Sequence, residues 1–239
     1  MKKIILAGIA ALSTLSIMAE EAKYIFYFIG DGMGMGHVNA AEIYNRDVLK
    51  NDSPILMLTF PVAYQFYLRH PDETLIVITA DHDTGGMAYG RNGMNGTSIG
   101  YADYQKISKD AFGEWTYNWG SQTQNPSWEE MEKALREKLG FWNGVPVSDN
   151  ETEKLKELFR KTFIDRNAED QKTLYQTFNA FTAKVFDVLN AHMGIGWTTT
   201  SHTGNFVPVY AVGANSHYFT GNLNNIEIPL LIKRAAGLK

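Results

Sequence analysis

The stretch TLIVITADHDTGG, Thr74 to Gly86, carries the strongest indication of the fold. Leu75 to Ala80 is a continuous apolar run, as expected for a strand that is buried on both faces of a parallel sheet. Asp81 and His82 follow directly, and two glycines then indicate a turn. Ligands of open α/β sheets bind beyond the carboxyl ends of the strands. The stretch therefore predicts a parallel strand that delivers a carboxylate and an imidazole to a ligand site.

A second stretch, YIFYFIGDGMG, repeats this arrangement from Tyr24 to Gly34. Tyr24 to Ile29 predicts another parallel strand buried on both faces. Asp31 follows between two glycines, which allow a sharp turn and bring the carboxylate close to an ion. The alternative is a turn aspartate that binds its own backbone. A dinucleotide site is excluded, because His37 stands where the pattern G-x-G-x-x-G requires its last glycine.

Asp81 and His82 directly follow a buried strand, where loss of water around their side chains is costly unless a partner binds them. A metal ion would bind both groups. A purely structural Asp–His hydrogen bond is the alternative. Asp83 and Thr84 are candidates for supporting contacts. His202, in the sequence SHTG, completes a set of two aspartates and two histidines. Such a set predicts zinc, with magnesium possible at the carboxylate-rich end. The remaining histidines are interpreted as surface or packing residues.

Composition limits the possible classes of function. The chain has 239 residues, which favours one domain with an insertion over two full domains. Its net charge is −4 and no basic stripe stands out, so we expect no nucleic-acid partner. It contains no cysteine, which excludes disulfides, thiolate metal sites and cysteine nucleophiles.

Residues 1–19 have the pattern of a secretory signal peptide. Lys2 and Lys3 are followed by the apolar stretch Ile4 to Met18, which is too short to span a bilayer comfortably. An uncleaved anchor or a buried strand is the alternative. We expect a periplasmic or secreted bacterial protein, without stable membrane association once the signal is removed, whose domain comprises residues 20–239.

Between about residues 104 and 193 the pattern becomes helical, as in an insertion. Ser127 and Ser148 each precede a glutamate by three residues, a capping pattern that predicts two helix starts. A third helix is predicted to carry Leu174, Phe178, Phe181, Val185 and Leu189 and to end near Gly194.

The remaining segments predict helices at 37–44 and 64–70, an apolar segment at 55–63, strands at 197–200 and 207–212, and a closing helix at 228–236. The predicted fold is a three-layer αβα domain with a mostly parallel central sheet and a helical insertion.

Three motifs together resemble the metal-ligand motifs of alkaline phosphatase: GDGMG at 30–34, TADHDTGG at 79–86 and SHTG at 201–204. The segments VPVYA at 207–211 and FTG at 219–221 are similar to the same family. The resemblance implies an incomplete alkaline-phosphatase-like α/β fold, Zn²⁺ and Mg²⁺ cofactors, a phosphate monoester as the small-molecule substrate, and a homodimer. It implies that Asp31 bridges one zinc and the magnesium. Asp81 and His82 would complete that zinc site, and His202 would bind the other zinc.

The sequence departs from the family's pattern in one region. The family's nucleophilic serine lies in an Asp-Ser-Ala segment, which is missing; Asp52-Ser53-Pro54 stands too early in the chain to replace it. The Asp-x-x-x-His pair, the phosphate-binding arginine and the magnesium glutamate are also missing. All would fall between Ala63 and Tyr64, which indicates an internal deletion.

We therefore expect an impaired phosphatase, with no catalytic residue assigned. A non-catalytic zinc-binding pseudoenzyme or a gene-fragment product is the alternative. A sulfatase is disfavoured, because the chain lacks both a cysteine and the serine motif that such enzymes convert.

Overall fold

The computed structural model describes residues 21–53, 60–93 and 96–239. The predicted signal peptide, residues 1–19, and residues 55–59 of the apolar segment lie outside the described residues. Within those residues, no helix is both long and apolar enough to cross a bilayer.

Helices and short strands alternate along the chain. The strands are β1 (Tyr24–Gly30), β2 (Thr74–Ala80), β3 (Asp83–Thr84), β4 (Ala88–Tyr89), β5 (Gln171–Lys172), β6 (Thr177–Phe178), β7 (Ile195–Gly196), β8 (His202–Thr203) and β9 (Tyr210–Gly213). The α-helices are α1 (Met35–Ile43), α2 (Pro61–Arg69), α3 (Lys109–Gln122), α4 (Trp128–Leu139), α5 (Asp149–Phe159), α6 (Ala180–Met193) and α7 (Glu227–Ala235). π-helical turns occupy Tyr44–Val48 and Arg160–Ile164, and 3-10 turns occupy Arg91–Gly93, Gly96–Tyr104 and Ser216–Phe219.

The central sheet has the order β1-β2-β9, with β1 and β2 parallel and β9 antiparallel to β2. All seven residues of β2 are buried, which confirms the strand predicted from its apolar run. Ile76 and Ile78 pack with α2 on one face, and Leu75 and Val77 pack with α7 on the other. The sheet thus lies between helices, as the α/β prediction requires, and β2 is its centre.

The prediction that β1 is buried on both faces is wrong. Phe26 packs against Phe66 of α2 with ring centroids 5.5 Å apart, so one face is covered. On the opposite face, Ile25, Tyr27 and Ile29 are 36%, 41% and 56% exposed. A strand is buried on both sides only when neighbouring strands and covering helices surround it. In the described part of the chain β1 pairs with β2 alone, so it is an edge strand.

Helices α3 to α6 form the largest apolar core. The Ser127 and Ser148 side chains accept hydrogen bonds from the backbone at the starts of α4 and α5, as predicted. The third predicted helix starts later than expected. Asn179 caps α6 by accepting from the Thr182 N–H, and Phe178 belongs to β6. Helix α3 had no prediction, because its glycines and polar residues weaken the helical apolar pattern.

Some of the helices and strands predicted for the remaining short segments are confirmed and others are not. Helices α1, α2 and α7 are confirmed within a few residues, and α2 begins at Pro61, a residue suited to the first helical turn. The strand predicted at 197–200 is wrong, because those residues form turns and irregular backbone after β7. The strand predicted at 207–212 is confirmed in part by β9.

A pair of leucine substitutions tests the helical core. Leu135 of α4 is fully buried, whereas Leu230 of α7 is 63% exposed. We expect Leu135→Ala to lower the free energy of unfolding by about 2–5 kcal/mol, because it leaves a cavity in a packed core. Leu230→Ala should change it by about 0.5 kcal/mol or less. Urea denaturation measures both, and equal losses would contradict this packing.

The capping box of α5 generates a pH prediction. Glu151 accepts hydrogen bonds from the Ser148 N–H at 2.9 Å and hydroxyl at 2.7 Å. Burial raises the pKa of the Glu151 carboxyl, but these hydrogen bonds and nearby His192 outweigh it and hold the pKa below its usual value. Because the folded-state pKa is lowered, the carboxylate stabilises the fold above its unfolded pKa of about 4.3. That stabilisation is lost as the pH falls through the folded-state pKa.

We therefore expect Glu151→Gln to lower the free energy of unfolding near neutral pH, and the difference from wild type to shrink on acidification. Glu153→Gln, on the same helix but 71% exposed, is the control and should follow the wild-type pH curve. Urea denaturation across a pH series makes the comparison. A deficit in Glu151→Gln that persists unchanged at acidic pH would refute the stabilising role of the carboxylate.

Candidate metal centre

The register of the parallel strands brings Asp31 and Asp81 together. Gly30 and Ala80 are register partners at the carboxyl ends of β1 and β2. The next residue on each strand is an aspartate, so two carboxylates leave the sheet side by side. This is the edge at which ligand sites of parallel sheets form.

The turn after β1 fixes the orientation of Asp81. Gly32 has φ of +70°, and a Cβ there would lie 2.3 Å from Thr84 Oγ1, so both its conformation and its space require glycine. Its N–H donates to Asp81 Oδ1 at 3.0 Å, and the His82 N–H donates to the same oxygen at 3.0 Å. The Gly32 N–H is the main cause that holds the pKa of Asp81 below its usual value, although desolvation opposes it. Asp81 is therefore kept as a carboxylate.

The His82 ring closes the group. Its Nε2 lies 3.4 Å from Asp31 Oδ1 and 3.4 Å from Asp81 Oδ2. Its Nδ1 faces the Asp83 carbonyl oxygen and Thr84 Oγ1, each at 3.3 Å, so the second nitrogen is held by neighbouring groups. One ligand atom from each of Asp31, Asp81 and His82 lies within 4.8 Å of the others. The structure thus brings together three of the four residues that the sequence singled out.

His202 lies beside this group rather than inside it. Strand β8 pairs with β3, and His202 is the register partner of Thr84. Its ring stacks on that of His82 with centroids 3.5 Å apart, and its Nε2 lies 2.9 Å from the Tyr175 hydroxyl. The sequence placed His202 after a strand at 197–200, whereas the residue belongs to a short strand of its own.

A buried carboxylate supports the loop that holds His82. Asp83 is 2% exposed and accepts hydrogen bonds from the Thr203 hydroxyl and, at 3.1 Å, from Asn205 Nδ2. Burial raises the pKa of Asp83, but the two hydrogen bonds outweigh it and keep the pKa below its usual value. A Cβ on Gly34 would lie 1.6 Å from Asp83 Oδ1, so the first glycine turn packs directly on this carboxylate.

Sequence reasoning missed three residues around the centre. Asn205 binds Asp83, Tyr175 contacts His202, and His37 Nδ1 is buried without a hydrogen-bond partner 3.9 Å from Asp83 Oδ1. Asn205 stands one residue after the SHTG motif, which was the only available signal. Tyr175 comes from the helical region, and no local pattern relates it to His202.

A cleft opens beside the group. It has a volume of about 270 Å³ and is lined by Asp81, His82 and the segment from Thr203 to Phe206, among others. Asp31, whose side chain is 89% exposed, and Asp81, at 45%, are accessible from solvent. A small anionic molecule could therefore approach the same groups that would hold an ion.

The donor set suits a divalent cation. Two carboxylates and one imidazole are ligands that zinc accepts, and a catalytic zinc commonly has three protein ligands with one position left open. Without an ion, two carboxylates beside one imidazole leave an excess of negative charge at the strand ends. These three side chains therefore form a group that could hold a divalent metal ion.

The sequence matches the family model described as Alkaline phosphatase over residues 55–238. It is similar to "Alkaline phosphatase 3" of Bacillus subtilis (strain 168), with 31% identity over 185 residues, or 72% of this chain and 33% of the relative. "Alkaline phosphatase 4" of the same organism is 27% identical over 67% of this chain and 29% of the relative.

Solved structures agree with the fold. An alkaline phosphatase from a psychrophilic Shewanella species, described as cold-active, superposes with a TM-score of 0.50 and 23% identity over 74% of this chain and 37% of that chain. The alkaline phosphatase of Thermus thermophilus also gives 0.50, with 22% identity over 84% and 41%. The chain spans about a third of the length of the curated relatives it matches. By the extent of the sequence match, and with the fold in agreement, this chain belongs to the alkaline phosphatase family.

Proposed function

We propose that this protein is a zinc- and magnesium-dependent phosphate monoester hydrolase whose activity is much reduced. The observation that carries the proposal is the convergence of Asp31, Asp81 and His82 at the carboxyl ends of two paired strands. The relatives are named alkaline phosphatases, which supports phosphate monoester hydrolysis as the reaction. Carboxylate and imidazole ligands support zinc as the metal.

Each predicted ligand has a place in this proposal. Asp31, Asp81 and His82 would hold one zinc, and Asp31, the most exposed of the three, would also serve magnesium. His202 is proposed as a ligand of a second zinc, and its stacking on His82 supports that position. When bound, these ions supply Lewis acidity to a phosphoryl oxygen and lower the pKa of water.

Groups of the chain itself orient the Asp81 carboxylate and hold the loop beside the cleft in place. Hydrogen bonds from the Gly32 and His82 N–H groups fix one oxygen of Asp81 and leave Oδ2 facing the His82 ring. The Asp83 network with Thr203 and Asn205 fixes the loop that borders the cleft. A phosphate monoester would enter from that cleft, where Gly204 and Phe206 form the wall.

The missing segment determines how little activity we expect. The sequence has no counterpart of the family's Asp-Ser-Ala nucleophile, its Asp-x-x-x-His pair or its phosphate-binding arginine. Ser53 stands too early in the chain to replace the serine, and its backbone is held in a local turn with Asn45 and Asn51. We therefore propose hydrolysis by direct attack of water, without a phosphoserine step. A zinc-binding pseudoenzyme is the second candidate, favoured by the same losses.

We further propose that the protein is exported to the periplasm or secreted and acts there on small phosphate monoesters. The support is the lysine pair followed by a short apolar run in residues 2–18.

The metal site predicts a defined binding pattern. Isothermal titration with ZnCl₂ should give binding that His82→Ala and Asp81→Asn each weaken by about 10-fold or more, since each removes one of three ligands. His217→Ala, at an exposed histidine on the Ser216–Phe219 turn, is the matched control and should bind like wild type. Zinc binding weakened equally in His217→Ala, or unchanged in His82→Ala, would contradict the proposed site.

Catalysis is tested with an aryl phosphate in the presence of zinc and magnesium. We expect turnover far below that of an intact relative, because losing even one preorganised contact typically costs on the order of 10²–10³ in rate. Residual turnover should disappear in His82→Ala and persist in His217→Ala.

The controls also separate the two candidate functions. Zinc binding without any turnover would favour the pseudoenzyme. Turnover equal to that of an intact relative, or a phosphoserine trapped from labelled substrate, would contradict the proposed loss of the nucleophile.

A further inference from the structure

A larger cavity lies between the helical region and the loops that carry the candidate metal ligands. Its volume is about 710 Å³, in the range of small-molecule sites. Thr84 and the segment from Trp197 to Thr200 line one side, and Lys109, Gln171 and Asp187 line the other, among others. We propose that this space, the insertion cavity, binds the alcohol part of the phosphate monoester, and that this part carries an aromatic ring and a second anionic group. The inference rests on the proposed function.

The insertion cavity is next to the candidate metal centre. Thr84 lines it, and Thr84 Oγ1 lies 3.3 Å from Nδ1 of His82. The hairpin of β5 and β6 connects the two places. Gln171 of this hairpin lines the cavity, and Tyr175 in its turn places the hydroxyl 2.9 Å from His202 Nε2. A substrate whose phosphoryl group lies at the metal centre can therefore extend its alcohol part into the cavity.

The helical side of the cavity supplies a positive charge without an anionic partner. The Lys109 side chain donates from Nζ to the amide oxygen of Gln171 at 3.1 Å, and Nζ lies 4.4 Å from the centre of the Phe178 ring. These partners, within the described residues, are both uncharged. Burial lowers the pKa of Lys109, and nearby Asp110 opposes this effect only in part. A half-buried ammonium group of this kind is stabilised when a ligand brings an anionic group to it.

The carboxylate that lines the cavity does not cancel this charge. Asp187 Oδ1 accepts from Arg91 Nη1, and its Oδ2 accepts from Lys184 Nζ, each at 2.7 Å. Burial raises the pKa of Asp187, but these two partners outweigh it and hold the pKa below its usual value. Together with Lys109, the four groups have an excess of positive charge. Their field therefore favours an anionic ligand over a cationic one.

The loop side of the cavity supplies an aromatic surface. Trp197 is 44% exposed, and a Cβ on Gly85 would lie 2.4 Å from Cε3 of its ring, so the backbone at Gly85 packs tightly against that ring. His37 contacts the same ring with centroids 5.7 Å apart. A ring held in this way offers an apolar face to a planar group of a ligand. An aromatic face on one side and a cation on the other suit an aromatic acid.

Two phosphonates serve as probes, because their carbon–phosphorus bonds resist hydrolysis. Phenylphosphonate and 4-carboxyphenylphosphonate differ only in the second anionic group. Isothermal titration of the zinc-loaded chain should show that 4-carboxyphenylphosphonate binds about 10-fold more tightly, since its carboxylate gains a charge-assisted hydrogen bond from Lys109.

Three variants locate the probe. Lys109→Met keeps the apolar stem and removes the charge, so the two phosphonates should bind it equally well. Lys133→Met, at a lysine 76% exposed on α4, is the matched control and should keep the wild-type preference. Trp197→Phe keeps an aromatic ring and should bind like wild type, but it should lose the change in tryptophan fluorescence that the probe causes. Circular dichroism checks the fold of each variant.

Equal affinity of the two phosphonates for the wild-type chain would overturn the proposal. So would a preference that Lys109→Met retains, or a fluorescence change that persists in Trp197→Phe. The same titrations without zinc separate the cavity from the metal site. A preference that depends on Lys109 while zinc strengthens neither probe supports the cavity and contradicts the metal site. Zinc that strengthens both probes equally, with no preference, supports the metal site and contradicts the cavity.

Discussion

The parallel pairing of β1 with β2 is the constraint on which the candidate site depends. Gly30 and Ala80 are register partners, so the next residue on each strand, Asp31 and Asp81, reaches the same edge of the sheet. A shift by one residue would turn one carboxylate to the opposite face. The apolar side chains of β2, buried against helices on both sides, fix that register. Packing energy in the core therefore holds two negative charges together at its rim, where a cation can balance them.

The glycine turns make this arrangement possible at close range. Gly32 lets its own N–H reach Asp81, and Gly34 lets the turn pack on the buried Asp83 carboxylate. Asp83 in turn joins the β2 loop to Thr203 and Asn205 by hydrogen bonds, so three segments that are distant in the sequence meet at one rim of the sheet. The family match covers residues 55–238, which include the β2 loop and the segment with Thr203 and Asn205 but not the first glycine turn. About two thirds of the length of the curated relatives has no counterpart here.

The sequence predicted the features that depend on interactions between residues close together in the chain. The buried strand β2 follows from its apolar run, the starts of α4 and α5 follow from their serine caps, and the convergence of Asp31, Asp81 and His82 follows from strand ends. Two kinds of feature were not predictable. The exposure of β1 depends on which strands are present beside it, and the contact of Tyr175 with His202 depends on how the helical region folds over the sheet. Both are tertiary properties that no short pattern encodes.

X-ray absorption at the zinc edge, on the chain loaded with one equivalent of Zn²⁺, tests whether Asp31, Asp81 and His82 bind the ion. We expect a first shell of oxygen and nitrogen ligands at about 2.0–2.2 Å. We also expect the scattering of a single imidazole, which His82→Ala abolishes. A shell without imidazole, or one that keeps its imidazole signal in His82→Ala, would show that Asp31, Asp81 and His82 do not form the metal site.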